Sequence, residues 1–176
     1  MTFSPAAPVA VPGPGPVDAG TFRQALGRHA AGVVIVTLPG PAGLTVTSFS
    51  SASLAPPLVS FYIGHGSSNW PAVRTAGHFA VNLMDEGQEE VAARFARKGA
   101  DRFGPSTRWR PGPLHLPLLE GATTQLICAR HALVAVGDHE LVIGEVTQVI
   151  LGPGGPPLLH HQGRFTRPAS GTGDDQ

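Results

Sequence analysis

The chain has 176 residues, enough to bury the core of one domain, and its 12 Lys and Arg balance its 12 Asp and Glu. Zero net charge excludes a general nucleic-acid or anionic-membrane surface, which would need a basic excess, and makes self-association easy to accept. A single cysteine, Cys128, excludes an internal disulfide framework and fits a reducing compartment.

Residues 1–17 are rich in Pro, Ala, Val and Gly without periodicity and are expected to be a disordered leader, ahead of one domain over 18–168 and a frayed tail over 169–176. No apolar run is long enough to span a bilayer. The N-terminus also lacks the basic start and apolar core of a signal peptide, so the expected location is the cytoplasm. Order starts at Asp18, an N-cap for a helix carrying Phe22, Ala25, Leu26 and His29 at helical spacing and ended by Gly32. Residues 33–37 are a fully apolar strand, and Pro39-Gly40-Pro41 turns it into an antiparallel partner.

That partner begins with Leu44 and Val46 alternating against Thr45 and Thr47. Over 47–53 it becomes a run of small hydroxyl-bearing residues, stopped by Pro56-Pro57. Taken alone the run is a Ser-rich loop beside a strand. Its other use is to bring backbone and hydroxyl donors close to a flat ligand without adding charge.

Residues 58–63 form the next strand, followed by Gly64-His65-Gly66-Ser67-Ser68-Asn69 and a short helix through Trp70, Val73 and Arg74. Ser67 or Ser68 either caps that helix or, with spare N–H groups beside it, forms a phosphate site; spacing alone leaves both open. Residues 78–84 are another strand. Asp85 and Gln88 then make a capping box for a helix with Glu86, Glu89 and Glu90 in its first turn, Arg94, Arg97 and Lys98 in its last, and Gly99 at its end. Residues 101–117 show little regular pattern and are either a lid or a loop pinned by Phe103 and Trp109.

Two long strands, 124–136 and 140–151, meet at Gly137-Asp138-His139, a tight-turn signal that can project His139 into a neighbouring cleft. Gly144 marks a bulge or a close backbone approach, and a last strand runs over 158–165. Together these are about six or seven strands and three short helices, mostly antiparallel, a content that closes into a barrel or sandwich. No G-x-S-x-G elbow, GxGxxG turn, HxxxH or CxxC spacing is present, and Cys128 sits mid-strand as a buried thiol. A small β-barrel with a hydroxyl-rich pocket and no acid–base machinery suits a cofactor that carries its own reactivity.

Taken together and in order, several pieces of the sequence resemble the short-chain flavin reductases, the reductase components of two-component flavin-dependent monooxygenases. They are the 31–37 strand, the segment 43–59, Phe79-Ala80-Val81-Asn82-Leu83, Phe95-Ala96 with Arg102-Phe103, Gly137-Asp138-His139 with Gly144-Glu145-Val146, and Pro157-Leu158-Leu159. The resemblance implies a mainly β chain with a few short helices folded as an antiparallel FMN-binding split β-barrel. It implies an NAD(P)H:flavin oxidoreductase that is a homodimer and supplies reduced flavin to a partner monooxygenase. The alternatives are a flavin-binding carrier or sensor without turnover, and a ligand-free structural β-barrel or dimerisation unit in which the Ser-rich segment is only a loop.

The cofactor implied is FMN or FAD, with NADH or NADPH as co-substrate. Thr47, Ser48, Ser50 and Ser51 would line the flavin ring and ribityl chain. Ser67, Ser68 and Asn69 would hold the phosphate, with Lys98, Arg102 and Phe103 closing around the tail. His139 and Phe165 fall where the nicotinamide is placed, and no catalytic acid, base or metal is expected. One departure stands out: the Gly64 to Trp70 segment has no Arg or Lys. Phosphate charge would have to be met by amide dipoles, by Lys98, or by a looser site.

Overall fold

Strand β2 (Val34–Leu38) shows how the core is divided, because all five of its residues are buried. In this computed structural model, which describes residues 15–169, β2 lies inside a sheet with side chains in contact on both faces. Val34, Val36 and Leu38 enter one apolar cluster, with Phe61 and Phe79. Ile35 enters a second, with Met84, Phe95 and Leu158. A strand buried on both faces reads as an unbroken apolar run rather than an alternating one.

The other strands are β1 (Ala31–Gly32), β3 (Ala42–Val46), β4 (Ser50–Leu54), β5 (Pro57–Gly64), β6 (His78–Leu83), β7 (Trp109–Pro111), β8 (Pro117–Leu119), β9 (Thr124–Val136), β10 (His139–Leu151), β11 (Leu159–His161) and β12 (Arg164–Thr166). Helices α1 (Ala19–Gly27), α2 (Trp70–Thr75) and α3 (Glu89–Ala96) lie between them. The main sheet has the order β3-β2-β6-β9-β10-β5-β4, and all its pairings are antiparallel. A small sheet β1-β11-β12 and the pair β7-β8 complete the fold.

This order forces curvature. The two edges, β3 and β4, are consecutive in the chain, joined only by residues 47–49. Laid flat, seven strands would hold their edges about 29 Å apart at ~4.8 Å per pairing. Four residue steps reach at most about 14 Å. The sheet therefore rolls into an open barrel, the expected antiparallel split β-barrel, and residues 47–49 cross from one lip to the other.

Several local expectations hold. Asp18 caps α1, its carboxylate accepting from Gly20 N–H at 2.9 Å and Thr21 N–H at 3.0 Å. Asp85 and Gln88 form the capping box. Gly137, at φ 59°, and Asp138 make the two-residue turn between β9 and β10. Gly144 sits at a register shift, and a Cβ there would stand 2.3 Å from Cζ of Phe79, so it is both bulge and close approach. Cys128 is fully buried, and burial pushes its thiol pKa up to about 12.

Others are corrected. The hydroxyl-rich run is only partly a loop: residues 50–54 form β4, paired with β5 and bulged between Ser51 and Ser53. The first helix ends at Gly27, not Gly32, because Ala31 and Gly32 pair with β11 instead. Asn69, not Ser67 or Ser68, is the N-cap of α2. Helix α3 stops at Ala96, leaving Arg97 as its C-cap and Lys98 and Gly99 beyond it. The last strand is a hairpin, β11 and β12, turned at Gln162 and Gly163.

The 101–117 segment is pinned rather than open. The rings of Phe95 and Phe103 meet edge-on at 5.1 Å, those of Phe103 and Trp109 at 5.5 Å, and Trp109 Nε1 donates to the Phe103 carbonyl at 3.3 Å. A buried polar set fastens its far end: Thr37 Oγ1 donates to the Pro117 carbonyl at 2.6 Å, and the Asn82 side chain accepts from Leu119 N–H at 2.9 Å. The expected leader and tail fall almost wholly on residues 1–14 and 170–176, which lie outside the described residues.

Candidate functional site

Two clefts gather polar side chains beside β3 and its crossing segment. The larger, about 980 Å³, is lined by Thr47, Ser48, Phe49 and Ser50 from the crossing and by Tyr62, Asp138 and His139 from the ends of β5 and β10. Helix α1 and His160 form its far wall. Cross-strand pairing of His139 with Gly64 brings the β9–β10 turn to the end of β5. The His139 ring lies over Gly64, its Nε2 being 3.5 Å from where a Cβ on that glycine would be.

Within the crossing, hydroxyls divide by role. The Ser48 Oγ accepts from Tyr62 N–H at 3.0 Å, and the Ser50 hydroxyl donates to the Ser51 carbonyl at 3.1 Å. Thr47 is exposed, with no hydrogen bond from its hydroxyl to the described residues, which leaves it available to a ligand. His139 Nδ1 is 2.7 Å from Asp138 Oδ1. That hydrogen bond first, and then the charge of His139, hold the Asp138 carboxyl below the ordinary carboxylate value. With a carboxylate accepting at Nδ1, the ring presents Nε2 to the cleft side of Gly64.

The smaller cleft, about 240 Å³, lies between the loop after β5 and the end of α3. Ser67, Ser68, Asn69, Lys98 and Arg102 converge there, residues spread over 36 positions of sequence (67 to 102, counted inclusively). Ser67 Oγ accepts from Asn69 N–H at 3.3 Å. Asn69 is only 8% exposed and lines the same cleft. Arg102 is held from behind, Nε donating to the Phe95 carbonyl at 3.2 Å and Nη2 to the Arg97 carbonyl at 2.9 Å. No carboxylate lines this cleft, so its hydroxyls, amide and two cations suit an anion such as a phosphate ester.

Not every expected residue reaches a cleft. Ser51 lies on β4 away from both linings. Phe103 packs between Phe95 and Trp109 in the second core cluster. Phe165 meets the His160 ring edge-on at 5.7 Å and lines a neighbouring cleft with Arg164 that shares Gln162 with the large one. Conversely, Thr45, Phe49, Tyr62, His160 and the α1 residues Phe22 and Arg23 line the clefts without having been singled out. Tyr62 was legible: between the buried Phe61 and Ile63, period-two alternation points it outward. The α1 residues carried no such signal. Among the described residues no group of three or more His, Cys, Asp and Glu is placed to hold a metal ion.

Comparison with known proteins adds a family to this geometry. The profile of the flavin reductase like domain matches residues 26–169. An NADH:FMN oxidoreductase of Rhodococcus qingshengii is 43% identical over 159 residues, covering 86% of this chain and 83% of that protein. The reductase subunit HsaB of a flavin-dependent monooxygenase from Mycobacterium tuberculosis is 36% identical over 155 residues, covering 85% and 82%. Among solved structures, the Streptomyces globisporus NADH:FAD oxidoreductase SgcE6, in complex with NAD and FAD fragments, superposes with a TM-score of 0.83 at 35% identity, covering 90% of this chain and 96% of that one.

Proposed function

The chain belongs to the flavin reductase like family, and we propose from that premise how its two clefts divide the work of an NAD(P)H:flavin oxidoreductase. The observation that carries the division is the small cleft, which gathers Ser67, Ser68, Asn69, Lys98 and Arg102 and contains no acid. It would hold the flavin phosphate, answering the missing Arg or Lys in the 64–70 segment with Lys98 and Arg102 from the segment after α3. The large cleft would take the flavin ring along Thr47, Ser48 and Ser50, with the nicotinamide beside His139.

The chemistry supplied by bound FMN or FAD is acceptance of a hydride from the nicotinamide, NAD(P)H and flavin plus a solvent proton becoming NAD(P)⁺ and reduced flavin. The side chains need only hold and orient the two rings, exclude water and present hydrogen bonds where charge develops. His139, oriented by Asp138, contributes a fixed Nε2 at one end of the cleft. Reduced flavin then serves a flavin-dependent monooxygenase, as the names of relatives such as HsaB support.

We propose further that the protein is a cytoplasmic homodimer, with one domain spanning 18–168. In support, α1 buries none of its residues, β4 is an open sheet edge, and Leu54 is 92% exposed. No helix of the described residues is long and apolar enough to cross a membrane. The deciding experiment follows NADH and NADPH oxidation with and without added FMN or FAD. Flavin-dependent turnover supports the reading and gives both preferences. Flavin fluorescence quenching without turnover would replace it with a carrier or sensor.

A further inference from the structure

We infer that His65 is a positioning residue for the flavin phosphate: by donating to Glu140 it holds in place the loop that brings Ser67, Ser68 and Asn69 to the small cleft. This rests on the flavin reductase reading above and gives a role to a side chain that lines neither the small cleft nor the large one.

The loop needs such a fastening. It runs from the end of β5 at Gly64 to Trp70, the first residue of α2. Before Ser67 its residues are Gly64, His65 and Gly66, so His65 alone offers a side chain there, and a Cβ at Gly66 would meet nothing within 4 Å. Within the loop, Ser67 N–H donates to the Gly64 carbonyl at 2.9 Å and Trp70 N–H to the Ser67 carbonyl at 3.0 Å. These consecutive turns set the curl of the loop without fixing where it stands against the sheet.

His65 fixes that placement by three contacts. Its N–H donates to the Asp138 carbonyl at 3.0 Å, its Nε2 donates to Glu140 Oε2 at 2.9 Å, and its ring lies 5.5 Å from that of Trp70, tilted by 49°. Both side-chain partners are themselves held. Glu140 sits in β10, paired with Ile63 on one side and Ala135 on the other, and its side chain is only 14% exposed. Trp70 packs against the core cluster of Phe61 and Phe79. One imidazole thus spans from the sheet to the start of α2, behind the residues that face the phosphate.

The missing Arg or Lys of the 64–70 segment makes this placement matter more. A lysine on its four-carbon stem can follow a displaced phosphate. The short Ser67 and Ser68 hydroxyls cannot, since a hydrogen bond weakens steeply outside a narrow range of distance and angle. Holding the loop in advance removes an ordering cost from binding. Without the tie, the apparent affinity falls with the fraction of protein that keeps the loop in place.

The test compares wild type with His65→Ala, His65→Gln, Glu140→Ala and the double variant His65→Ala/Glu140→Ala. The readouts are fluorescence titration with FMN and with riboflavin, which lacks the phosphate, and amide hydrogen exchange over 66–70 without flavin. His65→Ala is expected to weaken FMN binding about fivefold, the loss of one hydrogen bond, with riboflavin affinity near that of wild type and faster exchange in the loop. Glu140→Ala should match it, and the double variant should be no weaker than either single one. His65→Gln, which keeps a donor within reach of Glu140, should recover most of the loss. Unchanged FMN affinity would overturn the inference, as would an equal loss for riboflavin or additive losses in the double variant. Should His65→Ala fail to fold, Glu140→Ala decides by the same readouts, since it leaves the loop's own sequence intact. Were wild type to bind FMN no better than riboflavin, the phosphate reading would fall, while unchanged loop exchange in the variants would separately refute the positioning role.

Discussion

The hydroxyl of Ser48 accepts the Tyr62 backbone N–H at 3.0 Å, and thereby fastens the crossing segment to β5 before β4 begins to pair. One side chain extends the sheet by a hydrogen bond that no backbone carbonyl provides. Its neighbour Thr47 makes no such bond and faces the same cleft.

The two positions should therefore separate stability from binding. Ser48→Ala strands a backbone donor and is expected to cost about 1 kcal/mol of stability as well as flavin affinity. Thr47→Ala is expected to weaken flavin binding several-fold with an unchanged melting temperature. Thermal denaturation alongside fluorescence titration of both variants would check this; matching stability losses would contradict the division of roles.

Lys98 lies past the end of α3, exposed, at the rim of the small cleft. If it meets the flavin phosphate, Lys98→Ala should lower FMN affinity by roughly three- to tenfold and flatten its dependence on salt. Riboflavin has no phosphate and should bind both forms alike. A similar loss for riboflavin would place the effect elsewhere.

Gly144 and Phe79 set a limit on the core. A methyl group at Gly144 would approach the fully packed Phe79 ring to 2.3 Å, with Cys128 Cβ at 3.1 Å on another side. Neither neighbour has room to yield, so Gly144→Ala should destabilise by about 1–3 kcal/mol. Adding Phe79→Leu should recover part of that loss, a non-additivity that denaturant titration of the single and double variants can measure.

Cys128 keeps its proton in the fold until about pH 12, against an ordinary value of 9.0. The unfolded chain therefore loses that proton first as pH rises. The contribution is fully present below pH 9.0 and declines between 9.0 and about 12, so stability should fall over that window less steeply in Cys128→Ala. A thiol reagent at neutral pH should leave the native protein unlabelled and label one site per chain after denaturation.

Local chemistry was enough for much of this molecule. Apolar runs located β2, β5 and β6, the Asp18 and Asp85 caps placed helix starts, and Gly137-Asp138 placed the long hairpin, because each depends on neighbours within a few residues. The ordered motifs also carried the family. What the sequence could not decide was which distant residues meet. Ser67 and Arg102 share a cleft only because the sheet rolls until the β5 loop faces the end of α3. Phe103 turned inward because Phe95 and Trp109 offered it a packed aromatic slot. Arg23 reached the large cleft because Gln162, far along the chain, holds the end of α1. Those juxtapositions depend on sheet order and curvature, which arise from the burial of both faces of β2 and from a crossing segment too short to let the sheet lie flat.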